Sequence, residues 1–287
     1  MRKFFDNRIA RFFVLFPLTL GGYIAAQLFF VKQLARIPLA YRDGAETAAH
    51  IVLPLILLLF YWIATRDLEH RPVRELAPSR APVNLIAGAA VGIALFATVI
   101  GVLAAMGVAH VGHFDKSQSL IPALNMATLS GVGEELIFRG VLYRLFEEMF
   151  GSLTALIVSS ALFGAAHLGN EGATLASAAC VTIEAGFLLG ACYLATRNLW
   201  LPIGLHFGWN FAEGGIFGSV VSGNPFQGVL ATTFSGPAYL TGGNFGAEGS
   251  IVAVAVCSVA TVAILIAALR RGQWVKVHLA LNDRAAA

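Results

Sequence analysis

Long runs of apolar residues, separated by short polar segments, dominate the pattern of this chain. A membrane-spanning helix needs about 20 consecutive apolar residues, and eight runs approach that length. They cover residues 12–31, 47–65, 84–109, 121–146, 152–169, 173–196, 199–220 and 248–269. The pattern therefore predicts an all-α fold, a polytopic membrane helical bundle of about eight transmembrane helices.

The composition agrees with a lipid environment for most of the chain. Charged residues make up 12% of the sequence and hydrophobic residues 57%, whereas about 25% charged residues is typical of a soluble domain. A soluble protein this poor in charge could not cover its own surface. The net charge of +3 is small, so the composition gives no indication of nucleic-acid binding.

The basic residues are unevenly distributed between the ends of the predicted helices. Cytoplasmic loops of membrane proteins carry an excess of Lys and Arg, which places the N-terminus and the C-terminus in the cytoplasm. The basic residues that then fall on the cytoplasmic side are Arg2, Lys3, Arg8, Arg11, Arg66, Arg71, Arg74, Arg80, Arg144, Arg197, Arg270, Arg271, Lys276 and Arg284.

Two other segments bear on this orientation. The glycine-rich loop 221–247 falls outside and has no Lys or Arg, as the rule predicts, whereas segment 32–46 carries Lys32, Arg36 and Arg42 on the outer side. The first run is too long for the apolar region of a signal peptide, and no clear cleavage site follows it. We therefore expect a multi-pass protein of the cell inner (plasma) membrane with a retained first span.

An adjacent glutamate pair, Glu134 and Glu135, lies within the apolar run 121–146. Ionisable groups inside membrane helices are energetically costly and are usually functional. On a helix, Glu135 and Arg139 are four positions apart and share a face, which predicts an ion pair. Glu134 is rotated by about 100° from Glu135, so its carboxylate is free to face a cavity and to act as a general base.

His167 lies in the next apolar run, and its distance from the expected turn relates it to Glu134. We expect the turn at Phe150 and Gly151. Glu134 precedes Phe150 by 16 positions, and His167 follows Gly151 by 16 positions. Two antiparallel helices that meet at this turn would hold Glu134 and His167 at the same depth.

His206 and Asn210 form a third polar group. They are four positions apart and share one helix face, and both side chains can donate hydrogen bonds. His206 is about nine residues from Arg197, or ~13 Å along a helix, and Glu134 is about ten residues from Arg144, or ~15 Å. The similar depths predict that His206 and Asn210 lie beside Glu134.

The expected cluster of Glu134, His167, His206 and Asn210 lies below the cytoplasmic face. It suits hydrolysis, because a glutamate can activate water, a histidine can orient it, and a His–Asn pair can stabilise an oxyanion. Glu134, His167 and His206 are also a known type of zinc-ligand set, although no HExxH motif is present. The residues leave metal-dependent and metal-independent hydrolysis both open.

Two further glutamates lie close to these residues in the sequence. Glu184 is in the middle of the run 173–196, and Glu213 follows Asn210 by three positions. Both are candidates for the same cavity. The cysteines Cys180 and Cys192, like the third at position 257, have no metal-ligand spacing and are expected to be small buried apolar residues.

Three short motifs occur in order, each within an apolar run. They are Glu134-Glu135-x-x-x-Arg139, Phe163-x-x-x-His167 and His206-x-x-x-Asn210. Together they resemble the three motifs of the CPBP intramembrane proteases, the group of type II CAAX prenyl endopeptidases and bacterial Abi-type proteins. The resemblance covers roughly residues 120–215 of the chain.

The resemblance also implies a role for each matching residue. Glu134 would activate the water together with His167, and His206 and Asn210 would bind the oxyanion. The ion pair of Glu135 with its arginine would support the base. The family has been described both as metalloproteases and as glutamate-dependent proteases, so no cofactor is certain and zinc is the candidate.

The function implied is an intramembrane endopeptidase that hydrolyses a peptide bond near the C-terminus of a membrane-associated protein or peptide. Prenylated CAAX-type proteins are one substrate class of the family, and membrane lipid is the other expected partner. The chain would comprise an N-terminal transmembrane region of three spans (1–118), a catalytic helical core (119–220), and an outer loop, last span and cytoplasmic tail (221–287).

Two other classes of function remain compatible with the residues. A non-proteolytic scaffold or immunity protein could share the family's fold, although a scaffold gains nothing from buried charge. A proton-coupled transporter could use intramembrane Glu and His side chains as a proton relay. Transporters commonly contain internal repeats, and this sequence shows none, which disfavours that alternative.

Overall fold

The computed structural model describes residues 7–276, which form eight long helices and one small antiparallel sheet. In chain order the elements are α1 (Arg8–Leu34), α2 (Leu39–Glu69), α3 (Ala81–Ala105), β1 (Ala109–Phe114), α4 (121–150), α5 (152–166), α6 (Leu175–Thr196), α7 (200–216), β2 (Leu230–Phe234) and α8 (Ile251–Arg270). The predicted class, a helical membrane bundle, is confirmed.

The helix bounds follow the apolar runs closely, but fewer segments qualify as membrane spans than the eight that the apolar runs predict. Six segments are long and apolar enough to cross a membrane, and one of them, Ile121–Gly169, contains both α4 and α5. α7 is shorter and is not among the six. A bundle of eight spans therefore stays a prediction.

The break between α4 and α5 is at Gly151, where the turn was expected. Its φ of 78° and ψ of 170° are not helical, and a side chain at this φ would be strained. The predicted turn is confirmed, and it makes α4 and α5 antiparallel neighbours.

Small residues let α3 and α7 pack with their backbones almost in contact. A Cβ atom at Gly92 would lie 2.2 Å from the carbonyl oxygen of Leu205, and one at Gly208 would lie 2.2 Å from the carbonyl oxygen of Ala89. Close approach at small residues is the usual way in which membrane helices associate. This contact fixes the position of α7, which carries His206.

Arginine side chains collect at one end of the bundle, because successive helices run in opposite directions. This end, here called the arginine face, includes the start of α1 and the α2–α3, α4–α5 and α6–α7 connections. Its basic residues in the described part of the chain are Arg8, Arg11, Arg66, Arg71, Arg74, Arg80, Arg144, Arg197, Arg270, Arg271 and Lys276. Arg2, Lys3 and Arg284, also assigned to this side from the sequence, lie outside the described residues.

Ion pairs connect the helices at the arginine face. Arg144 of α4 contacts Glu69 of α2 at 2.5 Å and Glu148 at 3.0 Å. Arg11 of α1 lies 3.4 Å from Glu148, and Arg197 pairs with Glu147. α4 continues beyond Arg144 to residue 150, and the depth of the cluster below the cytoplasmic face stays a prediction.

The opposite end of the bundle carries the small sheet and is here called the hairpin face. β1 and β2 pair with Ala109 opposite Phe234. The apolar run 84–109 predicts a helix to residue 109, and segment 221–247 is predicted as a loop, but the helix ends at Ala105 and both segments contribute to a strand. The segments 167–172 and 217–250 also lie at this face.

Three stretches of the bundle are π-helical, and each contains a buried charged residue. They are Leu136–Tyr143 in α4, Thr182–Phe187 in α6 and Ala212–Ile216 in α7. π-Helical turns are rare and occur often at functional sites. The stretch in α4 contains Arg139, the one in α6 contains Glu184, and the one in α7 contains Glu213.

Candidate active site

Glu135 is completely buried at the end of the regular part of α4. Its Oε1 accepts a hydrogen bond from Nη1 of Arg139 at 2.8 Å, as the spacing predicted, and it lies 3.0 Å from Nδ1 of His206. The second contact was not predicted. Glu135 therefore connects the π-helical turn of α4 to the catalytic candidate on α7.

Arg139 is also fully buried, and its remaining contacts hold it rigidly. Nη2 donates to the carbonyl oxygens of Ala185 at 3.2 Å and Gly186 at 3.0 Å, in the π-helical part of α6. The guanidinium lies 4.6 Å from the ring centroid of Phe163, a cation–π distance. Through these contacts, Arg139 connects α4 to both α5 and α6.

Glu134 faces a different environment from its neighbour. Its side chain is 23% exposed, and Oε2 lies 4.0 Å from Nε2 of His206. No described group donates a hydrogen bond to that oxygen, although it is buried. Tyr23 of α1 packs directly on the preceding residue, since a Cβ atom at Gly133 would lie 2.2 Å from its ring. Glu134 thus has a partly exposed carboxylate at the cavity that forms no ion pair with a Lys or Arg among the described residues.

His167 lies at the end of α5 and faces the same cavity as Glu134. Its Nδ1 is 2.8 Å from the carbonyl oxygen of Phe163, four residues earlier. A carbonyl only accepts, so Nδ1 carries the proton and Nε2 of the neutral ring is left as an acceptor. The ring of Phe163 lies 4.8 Å from that of His167 and 6.0 Å from that of His206. Phe163 is therefore the packing platform for both histidines.

Asn210 is tied to α4 by a residue that the sequence reading missed. Its Nδ2 donates a hydrogen bond to Oγ of Ser130 at 3.0 Å, and Ser130 donates in turn to the carbonyl oxygen of Met126 at 3.0 Å. Ser130 lies one helical turn before Glu134. Nδ2 also lies 3.8 Å from Sδ of Met126, a weak acceptor, and an asparagine amide has two N–H groups.

A cavity of about 360 Å³ joins these side chains. All four residues that the sequence grouped line it, as do several that the sequence did not single out. The lining comprises Glu134, His167, His206 and Asn210, together with Tyr23, Gln27, His50, Met126, Leu129, Ser130, Asn170, Val221, Ser222 and Asn224. Tyr23, Gln27 and His50 come from α1 and α2, whose pattern is that of ordinary spans, so no local signal marked them.

The proposed zinc ligands Glu134, His167 and His206 line one cavity but are not gathered around a single point. In the described residues, no group of three His, Cys, Asp or Glu side chains is arranged to hold a metal. The contact of Nδ1 of His206 with Glu135 leaves Nε2 of that histidine free, as it is in many metal-bound histidines. Zinc bound by Glu134, His167 and His206 stays a prediction, and no chemical step is derived through it.

Glu184 and Glu213 do not line this cavity but belong to a second buried group with Glu248. The exposed fractions of the three residues are 2%, 0% and 3%. The carboxyl of Glu213 lies beside that of Glu248, which accepts a hydrogen bond from Oγ of Ser222 at 2.6 Å. A space of about 20 Å³, enough for about one water, separates Glu184 and Glu248 from the histidines.

The comparison with known protein families agrees with the motifs. Residues 116–212 match the Rce1-like family model, described as type II CAAX prenyl endopeptidase Rce1-like. The chain matches no curated protein and no solved structure.

This match confirms the resemblance recognised from the three motifs, and it spans all of them. It covers about a third of the chain, from the segment before α4 to the start of the π-helical turn of α7. At the level of the family, it supports a CAAX-type intramembrane protease. α1 and α2, which contribute to the cavity, lie outside the match, and the division of the chain into three regions stays a prediction.

Proposed function

We propose that this protein is an intramembrane endopeptidase that cleaves a membrane-associated protein or peptide with water activated by Glu134 and His167. One observation carries the proposal: the partly exposed carboxylate of Glu134 and the imidazoles of His167 and His206 line one cavity. A general base must be within reach of the proton that it removes. A water between Glu134 and His167 would meet that condition.

The reaction follows from the donors and acceptors around the cavity. Glu134 accepts a proton from water while His167 accepts the second hydrogen bond at Nε2, and the water oxygen attacks the scissile carbonyl carbon. Protonated Glu134 then passes its proton to the leaving amide nitrogen. The C–N bond breaks, and the products are a carboxylic acid and an amine.

His206 and Asn210 are placed to stabilise the oxyanion of the tetrahedral intermediate. Asn210 contributes the N–H that Ser130 does not use. His206 donates from Nε2 while Nδ1–H is held by Glu135, so the donating form is the imidazolium, balanced by that carboxylate. Loss of one oxyanion donor typically reduces kcat about 10²–10³-fold.

The test is peptide cleavage by the purified protein in detergent. The probes are an internally quenched CAAX peptide with a farnesylated cysteine and the same peptide without the farnesyl group. We expect Glu134→Gln to reduce cleavage about 10²–10⁴-fold, the usual contribution of a general base. Glu171→Gln is the matched control, because Glu171 is an exposed glutamate next to Asn170, which lines the cavity.

Equal cleavage by the wild type and Glu134→Gln would reject the proposal. Cleavage of the farnesylated probe alone would identify a prenyl-dependent enzyme. Cleavage of both would identify a broader endopeptidase. Cleavage of both probes would mean that this protein does not require the prenyl group that gives the matching family its description.

For the membrane, we propose a multi-pass protein of the plasma membrane with the arginine face in the cytoplasm. The support is the excess of Arg and Lys at that face, which is the usual determinant of orientation. α1 begins and α8 ends there, which places both termini in the cytoplasm. Lys32, Arg36 and Arg42, at the hairpin face, oppose this orientation.

A further inference from the structure

A tight turn at residues 221–224, here called the cavity turn, contributes to the lining of the active-site cavity. Val221 and Asn224 pair across it, because the main-chain N–H of each donates to the carbonyl oxygen of the other at 2.8 Å. Ser222 and Gly223, between them, have φ angles of 47° and 86°, as in a type I′ turn. The cavity turn follows the residues that match the family model, yet three of its four residues line the same cavity as Glu134.

The backbone of Ser222 has a conformation that is uncommon for a serine. Gly, Asn and Asp are the residues that adopt a left-handed φ most readily, and they are preferred at both central positions of a type I′ turn. Non-glycine residues in this region are strained, and such strain clusters at active sites and ligand contacts. A glycine would form this turn with less strain, so we ask what the side chain of Ser222 contributes.

Neighbouring segments hold the cavity turn in place. The N–H of Gly223 donates to the carbonyl oxygen of Phe245 at 2.8 Å, and a Cβ atom at Gly223 would collide with the carbonyl oxygen of Glu171. Nδ2 of Asn224 donates to the carbonyl oxygen of Val221 at 3.2 Å. The turn therefore packs between the segment that follows α5 and the segment that precedes α8, and its position at the cavity is fixed.

The hydroxyl proton of Ser222 is directed away from the cavity, toward a buried carboxyl. Oγ donates to Oε1 of Glu248 at 2.6 Å. Glu248 is 3% exposed and lies beside the carboxyl of Glu213. A hydroxyl has one proton and two lone pairs, so the free part of this Oγ is able only to accept. Ser222 thus presents a hydrogen-bond acceptor to the cavity.

A peptide in the cavity needs such an acceptor. Each backbone N–H that loses its contact with water must find a partner, because an unpaired buried donor is costly. In the proposed reaction Glu134 and His167 bind the attacking water, and Oγ of Ser130 already accepts from Asn210 at 3.0 Å. Oγ of Ser222 has no role in the hydrolytic steps and is available to the peptide.

We propose that Oγ of Ser222 accepts a hydrogen bond from a backbone N–H of the bound peptide, which makes the cavity turn a substrate-binding element. The cleavage part of this inference rests on the proposed function, whereas peptide binding can be measured separately. The ligand group is an unsubstituted backbone amide other than the scissile one. The contact forms equally in the bound substrate and in the transition state, so it affects KM and leaves kcat unchanged.

Backbone N-methylation of the substrate, combined with Ser222→Ala, tests the contact. The probe is the farnesylated, internally quenched peptide of the cleavage test, with each non-scissile amide methylated in turn. We expect Ser222→Ala to raise KM about 2–10-fold at unchanged kcat, the range for one uncharged hydrogen bond. At one position, methylation should raise KM for the wild type and should not raise it further for Ser222→Ala, because both changes remove the same contact.

Two further variants separate the hydroxyl from the stability of the turn. Ser219→Ala is the matched control in the same segment, because Ser219 is not among the cavity-lining residues and its Oγ donates to the carbonyl oxygen of Val220 at 3.4 Å; its KM should equal that of the wild type. Ser222→Gly also removes the hydroxyl but relieves the strained φ. It should unfold at the same temperature as Ser222→Ala or higher, with the same raised KM. A wild-type KM in Ser222→Gly would overturn the proposal.

The same comparison is made for binding alone. Glu134→Gln protein, with and without Ser222→Ala, is titrated with fluorescent versions of the same peptides, and fluorescence anisotropy gives Kd. If the wild type cleaves no peptide, the proposed function fails, and the Kd values still decide the role of Ser222. Effects of methylation and of Ser222→Ala that add at every position, or the absence of peptide binding, would overturn the inference.

Discussion

Two adjacent glutamates have opposite environments, and this difference defines the site. Glu135 is fully buried and shares Oε1 between Arg139 and His206. Glu134 lines the cavity with a side chain that is 23% exposed and shares neither oxygen with an arginine. A buried charge is tolerated when it is paired and hydrogen-bonded, so Glu135 is stable as a fixed anion, whereas Glu134 is able to accept a proton during a reaction.

Removal of Arg139 should therefore be costly. Arg139→Met leaves the buried Glu135 with His206 as its one remaining partner among the described residues, and breaking a buried ion pair typically costs about 3–5 kcal/mol. We expect that loss in the free energy of unfolding, measured by SDS titration in detergent micelles. Combining Arg139→Met with Glu135→Gln should recover part of it, because the orphaned charge is then gone.

Arg36→Met is the matched control, since Arg36 is exposed and contacts only Gln33 through its side chain in the described residues. Exposed substitutions usually change stability by less than about 0.5 kcal/mol. Equal stability of Arg139→Met and Arg36→Met would contradict the assignment. So would a double variant that is no more stable than Arg139→Met.

At this scale the sequence revealed contacts within one helix and missed contacts between helices. The spacing of Glu135 and Arg139 determines a helix face, so their pair was predictable. The bond from Asn210 to Ser130 joins α7 to α4, and the bond from Glu135 to His206 joins the same two helices. Such contacts depend on the rotation of each helix about its axis, which the spacing within one helix does not determine.

At the scale of elements, the glycine contact between α3 and α7 controls the position of the oxyanion candidates. Gly92 of α3 meets α7 at Leu205, immediately before His206. Any side chain at this position must push the two backbones apart. Because α7 carries both His206 and Asn210, such a shift would also move them relative to Glu134.

Gly92→Ala should lower stability by about 1–3 kcal/mol, the usual cost of overpacking, and should lower kcat for a cleaved peptide. Gly101→Ala is the matched control on the same helix, because a Cβ atom there meets nothing within 4 Å. Since Ala is the better helix former by about 0.5–1 kcal/mol, the control should be neutral or slightly stabilised. Thermal unfolding and peptide cleavage measure the two effects.

If Gly92→Ala and Gly101→Ala unfold at the same temperature, the helices are not in the contact described. If Gly92→Ala loses stability but keeps full kcat, the contact stabilises the bundle without positioning His206. Either outcome would contradict part of the prediction.

The elements themselves were predictable where one local property determines them. The apolar runs gave the helices, and Phe150-Gly151 marked the turn, because glycine tolerates the positive φ found at Gly151. The pairing of β1 with β2 joins segments more than 100 residues apart, and a short polar stretch gives no signal of a distant partner. The π-helical turns were also missed, because their sequences are those of ordinary apolar helices.

At the scale of the whole molecule, a buried group of carboxyls fixes the long segment 217–250 to the bundle. Glu184 comes from α6, Glu213 from α7 and Glu248 from the turn before α8. Ser222, which lines the cavity, donates a hydrogen bond to Glu248. Segment 217–250, which contributes Ser222 to the cavity lining, is thus anchored to α6 and α7.

The three glutamates differ from Glu135 because none of them forms an ion pair with a Lys, Arg or His side chain among residues 7–276. Burial of an unpaired carboxylate is far more costly than burial of a neutral, hydrogen-bonded carboxyl. We infer that Glu213 and Glu248 share a proton, so that one carboxyl donates to the other. A glutamine can replace the donating member with similar shape and no change in charge.

Isosteric Glu→Gln changes should therefore differ in their effect on stability at two equally buried glutamates, Glu213 and Glu135. Glu213→Gln should leave the free energy of unfolding within about 1 kcal/mol of the wild type, because the amide still donates to Glu248. Glu135→Gln should cost about 3–5 kcal/mol, because Arg139 then remains buried without its counter-ion. SDS titration of both variants measures the difference. A loss at Glu213 as large as that at Glu135 would mean that Glu213 is a paired anion, and the shared proton would be rejected.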